Sequence, residues 1–197
     1  MKHLSRITMG LLVIASTVFG CATMSGGDWV TLFDGKDLDH WYIIGDADWK
    51  LENGLVMADR KIGKDNGYLV TRKNYSNFQL KVEFWVSHDA NSGIFMRCKD
   101  GKKIADSLCY EANIFDQRGD PYFGTGAIVK FAGVDPMPKA GGKWNTYEIT
   151  ADGPNLTLVL NGVKTVELNN KKYKKGPIAL QYGKGIVKFR KVEIREL

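Results

Sequence analysis

The sequence predicts an all-β protein, an antiparallel β-sandwich of the jelly-roll type. Apolar and polar residues alternate along many short segments, turn residues separate these segments, and helical periodicity is almost absent. Many short strands with turns between them are typical of antiparallel sandwiches. Thirteen strands are predicted, at residues 29–33, 48–51, 54–59, 67–71, 77–86, 92–98, 108–115, 126–131, 145–151, 155–160, 163–168, 177–182 and 186–196.

Three of these segments carry the clearest strand signals. Residues 78–86 read FQLKVEFWV, which places five apolar residues on one face and puts Trp85 on the polar face. Asn161-Gly162 separates two alternating runs, which is the strongest short-range signal for a β-hairpin. In the last strand the apolar residues change parity near Arg190-Lys191, and this predicts a β-bulge there.

The first 28 residues are predicted to be an export signal and a tether. Residues 1–20 start with basic residues and continue with an uncharged run from Ile7 to Gly20. Such a run reaches only about 21 Å, which is short of a bilayer core of roughly 30 Å, so it is predicted to be a signal peptide. Residues 21–28 are small and polar, as in a flexible tether, and residues 29–197 are predicted to form one domain.

Cys21 ends the apolar run after a glycine, in a pattern that resembles a bacterial lipobox. The pattern predicts lipidation of Cys21, and an ordinary signal peptide with a coincidental cysteine is the alternative. Acyl chains would anchor the protein in a membrane. In a Gram-negative host Ala22 would favour the outer membrane. We therefore expect a lipoprotein of the bacterial cell envelope, either periplasmic or at the surface.

The basic charge of the chain does not predict nucleic-acid binding. The formal net charge is +6, and removal of residues 1–20 takes away Lys2 and Arg6, which leaves 26 basic against 22 acidic residues, or +4. The densest basic run, residues 171–175, precedes a Gly-Pro turn and is typical of a solvated loop. Nucleic acid is therefore not an expected partner.

Cys98 and Cys109 are the two remaining cysteines, and they flank a polar stretch that must turn back. In an oxidising compartment they could form a disulfide, and two free thiols are the alternative. Neither mature histidine, His40 or His88, has a metal-ligand spacing with a cysteine. No metal site and no definite cofactor are predicted, although participation of a divalent metal stays open.

Residues 31–41, TLFDGKDLDHW, resemble the opening motif of a bacterial family with a concanavalin-like jelly-roll fold, the 3-keto-disaccharide hydrolase or 3-keto-glucoside lyase family. The resemblance continues in order to the end of the chain. It is carried by GYLVT at 67–71, the strand at 78, NSGIFMR at 91–97, YEANIFD at 110–116, WNTY at 144–147, LNG at 160–162 and GPIALQ at 176–181.

The resemblance implies a small-molecule partner, a glycoside whose sugar carries a ketone at carbon 3. The ketone acidifies the hydrogen at carbon 2, so a base can remove it and the enolate can expel the group at carbon 1. Water then adds to the resulting 2-hydroxy-glucal. This chemistry needs a base, a stabiliser of the enolate oxygen and a proton donor for the leaving oxygen.

Four candidate catalytic residues lie along strands and strand ends. Arg97 and Glu111 would lie near each other on one sheet face if their strands pair, and a plain cross-strand ion pair is the alternative. Asp116 follows the second of these strands and could be an acid, or a turn residue. His88 could be a base or a metal ligand, although an exposed loop histidine is the simpler interpretation.

Five further residues are candidates for substrate binding. Trp85 is an aromatic on the polar face of its strand, and the aromatics Tyr122 and Phe123 lie in the long loop of residues 118–144, where a binding site is commonly placed. Gln117 opens that loop, and Lys130 could stabilise an enolate or be a surface lysine. A non-catalytic carbohydrate-binding module and a structural envelope lipoprotein are the competing hypotheses for the whole protein.

Overall fold

The computed structural model describes residues 27–197, which contain thirteen strands and one short 3-10 turn at Pro121–Phe123. The strands are β1 (Val30–Phe33), β2 (Trp41–Ile44), β3 (Lys50–Glu52), β4 (Leu55–Ala58), β5 (Gly67–Thr71), β6 (Phe78–Val86), β7 (Ser92–Met96), β8 (Tyr110–Ile114), β9 (Trp144–Asp152), β10 (Asn155–Leu160), β11 (Val163–Asn169), β12 (Ala179–Tyr182) and β13 (Val187–Glu196). The predicted signal peptide at 1–20 and the predicted lipidation site Cys21 lie outside the described residues.

These strands form two antiparallel sheets. The larger has the order β11-β10-β9-β6-β13-β4-β3, with β1 also paired to β13, and the smaller has the order β2-β5-β12-β7-β8. The predicted all-β antiparallel sandwich is therefore confirmed. No helix in the described part of the chain is long and apolar enough to cross a membrane.

The core lies between the two sheets and is built from the alternating faces of the strands. In β6 the five apolar residues at alternate positions are each at most 1% exposed, while the residues between them face outward. Each such buried side chain contributes roughly 1.5–3 kcal/mol of hydrophobic free energy. The alternation thus decides which face of each strand joins the core and which face is left for a site.

Two strand predictions differ from the structure, and one irregularity is confirmed. The sequence WYII of β2 lacks alternation, because Trp41 is buried in the core while Ile43 is 52% exposed, so no strand was predicted there. Residues 126–131 are not a strand: the Ile128 and Ala132 backbones bond to each other in a tight turn, and Lys130 has φ of 67°. The predicted bulge in β13 lies between Phe189 and Lys191.

Candidate functional site

A cavity of about 390 Å³ lies on the face of the smaller sheet that is turned away from the core. Volumes of about 300–1,000 Å³ are usual for small-molecule sites. Strands β5, β7, β8 and β12 form its floor, and loops 99–108 and 115–129 form its walls. The lining residues are Asn66, Tyr68, Asn91, Phe95, Ile104, Ala105, Asp106, Glu111, Asn113, Phe115, Arg118, Phe123, Val129 and Gln181.

Glu111 is the buried carboxyl group of this cavity. It is 8% exposed, and its pKa is raised to about 8 because burial disfavours the charged form and because Asp106 adds a second negative charge. Lys130 opposes this rise, and no hydrogen bond within the described residues offsets it. A carboxyl group of this kind can both accept and return a proton near neutral pH.

Gly93 makes room for this carboxyl group. It lies in β7 opposite Asn113 of β8, and a Cβ atom at Gly93 would be only 2.8 Å from Oε1 of Glu111. Any side chain at this position would therefore displace the carboxyl group. The glycine in the NSGIFMR segment is required by the close approach of Glu111, which the sequence alone does not reveal.

Tyr68 and Gln181 form the polar floor beside Glu111. Nε2 of Gln181 donates a hydrogen bond of 3.3 Å to the hydroxyl oxygen of Tyr68. The Tyr68 proton is then free to be donated to a bound ligand, and burial raises the pKa of Tyr68, so the hydroxyl keeps that proton. Oε1 of Gln181 is buried and has no hydrogen-bond partner in the described part of the chain. Such unmet polar groups mark a place where a ligand can bind.

Two loops meet above the cavity through an ion pair. The Nζ atom of Lys130 lies 2.8 Å from Oδ2 of Asp106. Asp106 belongs to the loop between Cys98 and Cys109, and the structure contains a disulfide between these two cysteines. The disulfide and the ion pair together hold the Asp106 loop over the outer face of the sheet. Lys130 thus lies beside the cavity rather than in its lining, as a partner of Asp106.

Arg118 is a cavity residue to which the sequence assigned no role of its own. Its side chain lines the cavity, and its guanidinium carbon lies 5.3 Å from the centre of the Phe123 ring. In the sequence it is the guanidinium that follows the candidates Asp116 and Gln117. Three polar residues come in succession after Phe115, and only the loop geometry decides which one turns inward.

The predicted proximity of Arg97 and Glu111 is wrong. Arg97 directly follows β7 with φ of 52°, and this left-handed conformation ends the strand alternation and turns the side chain away from the cavity. Arg97 is 1% exposed, and its guanidinium binds other segments of the chain. It donates hydrogen bonds to the carbonyl oxygens of Ser76 (2.7 Å), Gly153 (2.7 Å) and Tyr173 (3.4 Å) and to Oδ1 of Asn77 (3.3 Å). Arg97 joins these segments and cannot face a substrate in the cavity.

Asp116 and His88 also lie outside the cavity lining. The Asp116 carboxylate accepts hydrogen bonds from the Thr125 hydroxyl (2.7 Å) and from the backbone N–H groups of Ala140 and Gly141. It therefore connects two loops and has little capacity left for a substrate. His88 is exposed and lies against Gly141.

Three of the candidates for substrate binding, Trp85, Gln117 and Tyr122, lie away from Glu111. Trp85 is on the outer face of the larger sheet, with the core between it and the cavity. Gln117 and Tyr122 are exposed loop residues, and neither lines the cavity. Of the residues predicted from sequence, Glu111 and the aromatic Phe123 contribute to the lining itself.

No group of three or more His, Cys, Asp or Glu side chains within residues 27–197 is arranged to hold a metal ion. Glu111 and Asp106 are the acidic residues that line the cavity, and Asp106 is already paired with Lys130. The chemistry that this site offers is therefore that of a buried carboxyl group, a phenol, side-chain amides and one guanidinium.

Among the known proteins that resemble this chain are a curated enzyme and two proteins of known structure. A curated 3-keto-disaccharide hydrolase of Bacteroides thetaiotaomicron is 29% identical over 100 residues, which is 43% of this chain and 34% of that protein. The crystal structure of a candidate glycosyl hydrolase from Parabacteroides distasonis is 26% identical, with a TM-score of 0.71 and coverage of 87% and 100% of the two chains. The carbohydrate-binding module CBM66 of Bacillus subtilis is 14% identical, with a TM-score of 0.59 and coverage of 86% and 96%.

These likenesses differ in what they show. The match to the curated hydrolase spans only about a third of that protein. The carbohydrate-binding module shares the fold alone. The family comparison covers more of the chain. The model of a family described as "3-keto-alpha-glucoside-1,2-lyase-like domain" matches residues 28–195, nearly the whole described chain. This protein therefore belongs to the 3-keto-alpha-glucoside-1,2-lyase-like domain family.

Proposed function

We propose that this protein cleaves 3-keto-glycosides in the Glu111 cavity by elimination followed by hydration. The single observation that carries the proposal is the pKa of Glu111, which is raised to about 8 inside a cavity large enough for a sugar. Perturbed carboxyl groups in clefts are typical of catalytic acids and bases. Membership of the family supplies the substrate class.

In the proposed reaction a single carboxyl group, that of Glu111, makes every proton transfer. Ionised Glu111 takes the proton from carbon 2, the C–H electron pair forms the enolate of the 3-ketone, and the enolate expels the oxygen at carbon 1. Glu111 then gives its proton to that leaving oxygen, which releases the alcohol. In the second stage Glu111 takes a proton from water, hydroxide adds at carbon 1, and the same proton returns to carbon 2. The net reaction is hydrolysis.

Two other cavity residues have roles in this scheme. The Tyr68 hydroxyl can donate a hydrogen bond to the enolate oxygen, because Gln181 already occupies its acceptor side. The Arg118 guanidinium supplies positive charge at the rim, where it can stabilise the same enolate or bind the leaving sugar. Neither residue needs to lose a proton.

The test is a 3-keto-glucoside of p-nitrophenol incubated with the full-length protein in D₂O. The wild type should release nitrophenol and exchange the hydrogen at carbon 2 for deuterium. Glu111→Gln should lose both activities by about 10²–10⁴-fold, the usual contribution of a general base. Glu52→Gln, on the exposed strand β3, is the matched control and should keep both.

Two outcomes would contradict the proposal. Full activity in Glu111→Gln would exclude this residue as the base. Saturable binding of the sugar by the wild type without exchange or release would identify a carbohydrate-binding protein instead, the alternative class that the sequence left open.

Wild-type kcat/KM should also rise with pH through about 8, because only the ionised carboxylate accepts the proton.

We also propose that the protein is exported and anchored in the bacterial envelope through Cys21. The uncharged run before Cys21 supports export, and the Cys98–Cys109 disulfide is consistent with an oxidising compartment. The test is metabolic labelling with a radioactive fatty acid, which should label the wild type and leave Cys21→Ser unlabelled. Equal labelling of both would contradict lipidation at this residue.

A further inference from the structure

The outer face of the larger sheet carries a continuous row of five side chains that the proposed reaction does not use. Strand pairing places Lys50 opposite Met57, Met57 opposite Lys188, Lys188 opposite Trp85, and Trp85 opposite Trp144. Residues directly opposite on neighbouring antiparallel strands share one sheet face. Because the row crosses five strands spaced about 4.8 Å apart, it is about 19 Å long. We call it the Trp85 row.

The two indole rings of the row are both associated with cations. Nζ of Lys188 lies 4.8 Å from the centre of the Trp85 ring, and the guanidinium carbon of Arg190 lies 4.3 Å from the centre of the Trp144 ring. Trp144 is 37% exposed, and Glu83 accepts a hydrogen bond from Arg190. These contacts hold the rings and the cations in one ordered surface.

The charge of this surface is positive. Three cations lie in or beside the row, Lys50, Lys188 and Arg190, against two carboxylates, Asp59 paired with Lys50 and Glu83 paired with Arg190. Within residues 27–197, Lys188 takes part in no salt bridge. Lys188 is thus available to an anionic ligand beside the indole pair.

We infer that the Trp85 row is a second binding site, for an acidic saccharide chain that carries carboxylate groups. Indole rings pack against the C–H faces of sugar rings, and the unpaired Lys188 complements a carboxylate of the chain. A strip of about 19 Å suits several sugar rings in line rather than one sugar. The site lies on the opposite side of the sandwich from Glu111, so one protein could hold a glycan and act on a small glycoside at the same time.

The test is calorimetric titration of the full-length protein with tetragalacturonate. The wild type should bind it, and the Kd should rise with ionic strength because the contacts are charged. Trp85→Ala and Trp144→Ala should each weaken binding about tenfold, which corresponds to about 1.4 kcal/mol, because each removes a ring that packs against the sugar. Melting curves and the milder Trp85→Phe and Trp144→Phe, which should keep most binding, separate this loss from unfolding.

Matched variants and ligands separate this site from general charge attraction. Lys188→Glu, in the row, should weaken binding, whereas Lys171→Glu makes the same charge change elsewhere on the surface and should bind like the wild type. Glu111→Gln should also bind normally, so failure of the proposed function would not affect this result. The inference is overturned if Lys171→Glu weakens binding as much as the tryptophan variants, if neutral maltotetraose binds equally well, or if vesicles containing phosphatidylglycerol bind and tetragalacturonate does not.

Discussion

Two buried charged residues near adjoining ends of β7 and β8, Arg97 and Glu111, differ in how many hydrogen-bond partners surround them. Arg97 is surrounded by acceptors and donates four hydrogen bonds, three of them to backbone carbonyl oxygens. Glu111 is also buried and faces a cavity, and among residues 27–197 it accepts no hydrogen bond that lowers its pKa. Burial is therefore common to both residues, and the supply of partners distinguishes a structural charge from a reactive one.

The difference arises from the backbone rather than from the residue types. Glu111 continues the regular alternation of β8, and its side chain projects from the outer face. Arg97 leaves β7 in a left-handed conformation, which directs its side chain toward Ser76 and Gly153 instead. Two residues that strand parity would place on one face are thereby separated.

The largest expected effect comes from removing the structural charge. Arg97→Ala leaves several buried acceptors without donors, and we expect it to lower the free energy of unfolding by about 3–5 kcal/mol. At about 2–4 °C per kcal/mol this is a fall in Tm of roughly 10 °C, measurable by thermal denaturation. The control Arg60→Ala removes an exposed ion pair and should cost less than about 1 kcal/mol. Equal melting of the two variants would show that Arg97 is not structural.

The next effect concerns the disulfide that joins the two regions. Cys98 follows Arg97 directly, and Cys109 precedes Glu111 by two residues. The double variant Cys98→Ser/Cys109→Ser should lose about 3 kcal/mol of stability, the loop-entropy value for a ring of about 12 residues. Urea denaturation measures the loss, and the wild type in a strong reductant should reproduce it. An unchanged midpoint in both would contradict this account of the loop.

The third effect is a pH dependence of stability caused by Glu111. Its pKa is about 8 in the folded protein and near 4.5 when unfolded, so the stability it confers is full below about pH 4.5 and is lost as pH rises through about 8. Glu111→Gln removes this loss and should be more stable than the wild type above pH 8, by a few kcal/mol, since each unit of pKa shift corresponds to about 1.4 kcal/mol. Denaturation at several pH values tests this, and parallel curves for the two proteins would contradict it.

The smallest expected effect is a shift in the pH profile of kcat/KM when one of the two charges that act on Glu111 is removed. Asp106 raises the pKa of Glu111 and Lys130 lowers it. In the proposed reaction, Asp106→Asn should therefore move the midpoint of the kcat/KM profile to lower pH, and Lys130→Met should move it to higher pH, each by less than about one pH unit. Shifts in the same direction would show that these substitutions act through the loop position instead of through charge.

The architecture could be predicted from the sequence because most of its features depend on residues that are close together in the chain. Alternation in β6, the Asn161-Gly162 hairpin and the parity change in β13 each depend on neighbouring residues, and the structure has all three features. The two errors concern segments in which distant contacts override the pattern. Residues 126–131 look like a strand but turn at Lys130, and β2 lacks alternation because it buries Trp41 and pairs with β5.

The sequence by itself determined the antiparallel sandwich, the family and the choice of Glu111, since these follow from periodicity, motif order and residue type. It left the pairing of Cys98 with Cys109 open, and the structure shows that disulfide. Only the tertiary structure decided which charged residues share a cavity. It removed Arg97, Asp116, His88 and Trp85 from the surroundings of Glu111, and it added Tyr68, Gln181 and Arg118. The physical reason is that proximity in a sandwich depends on strand order and loop direction. Both are determined by contacts between residues that are far apart in the chain.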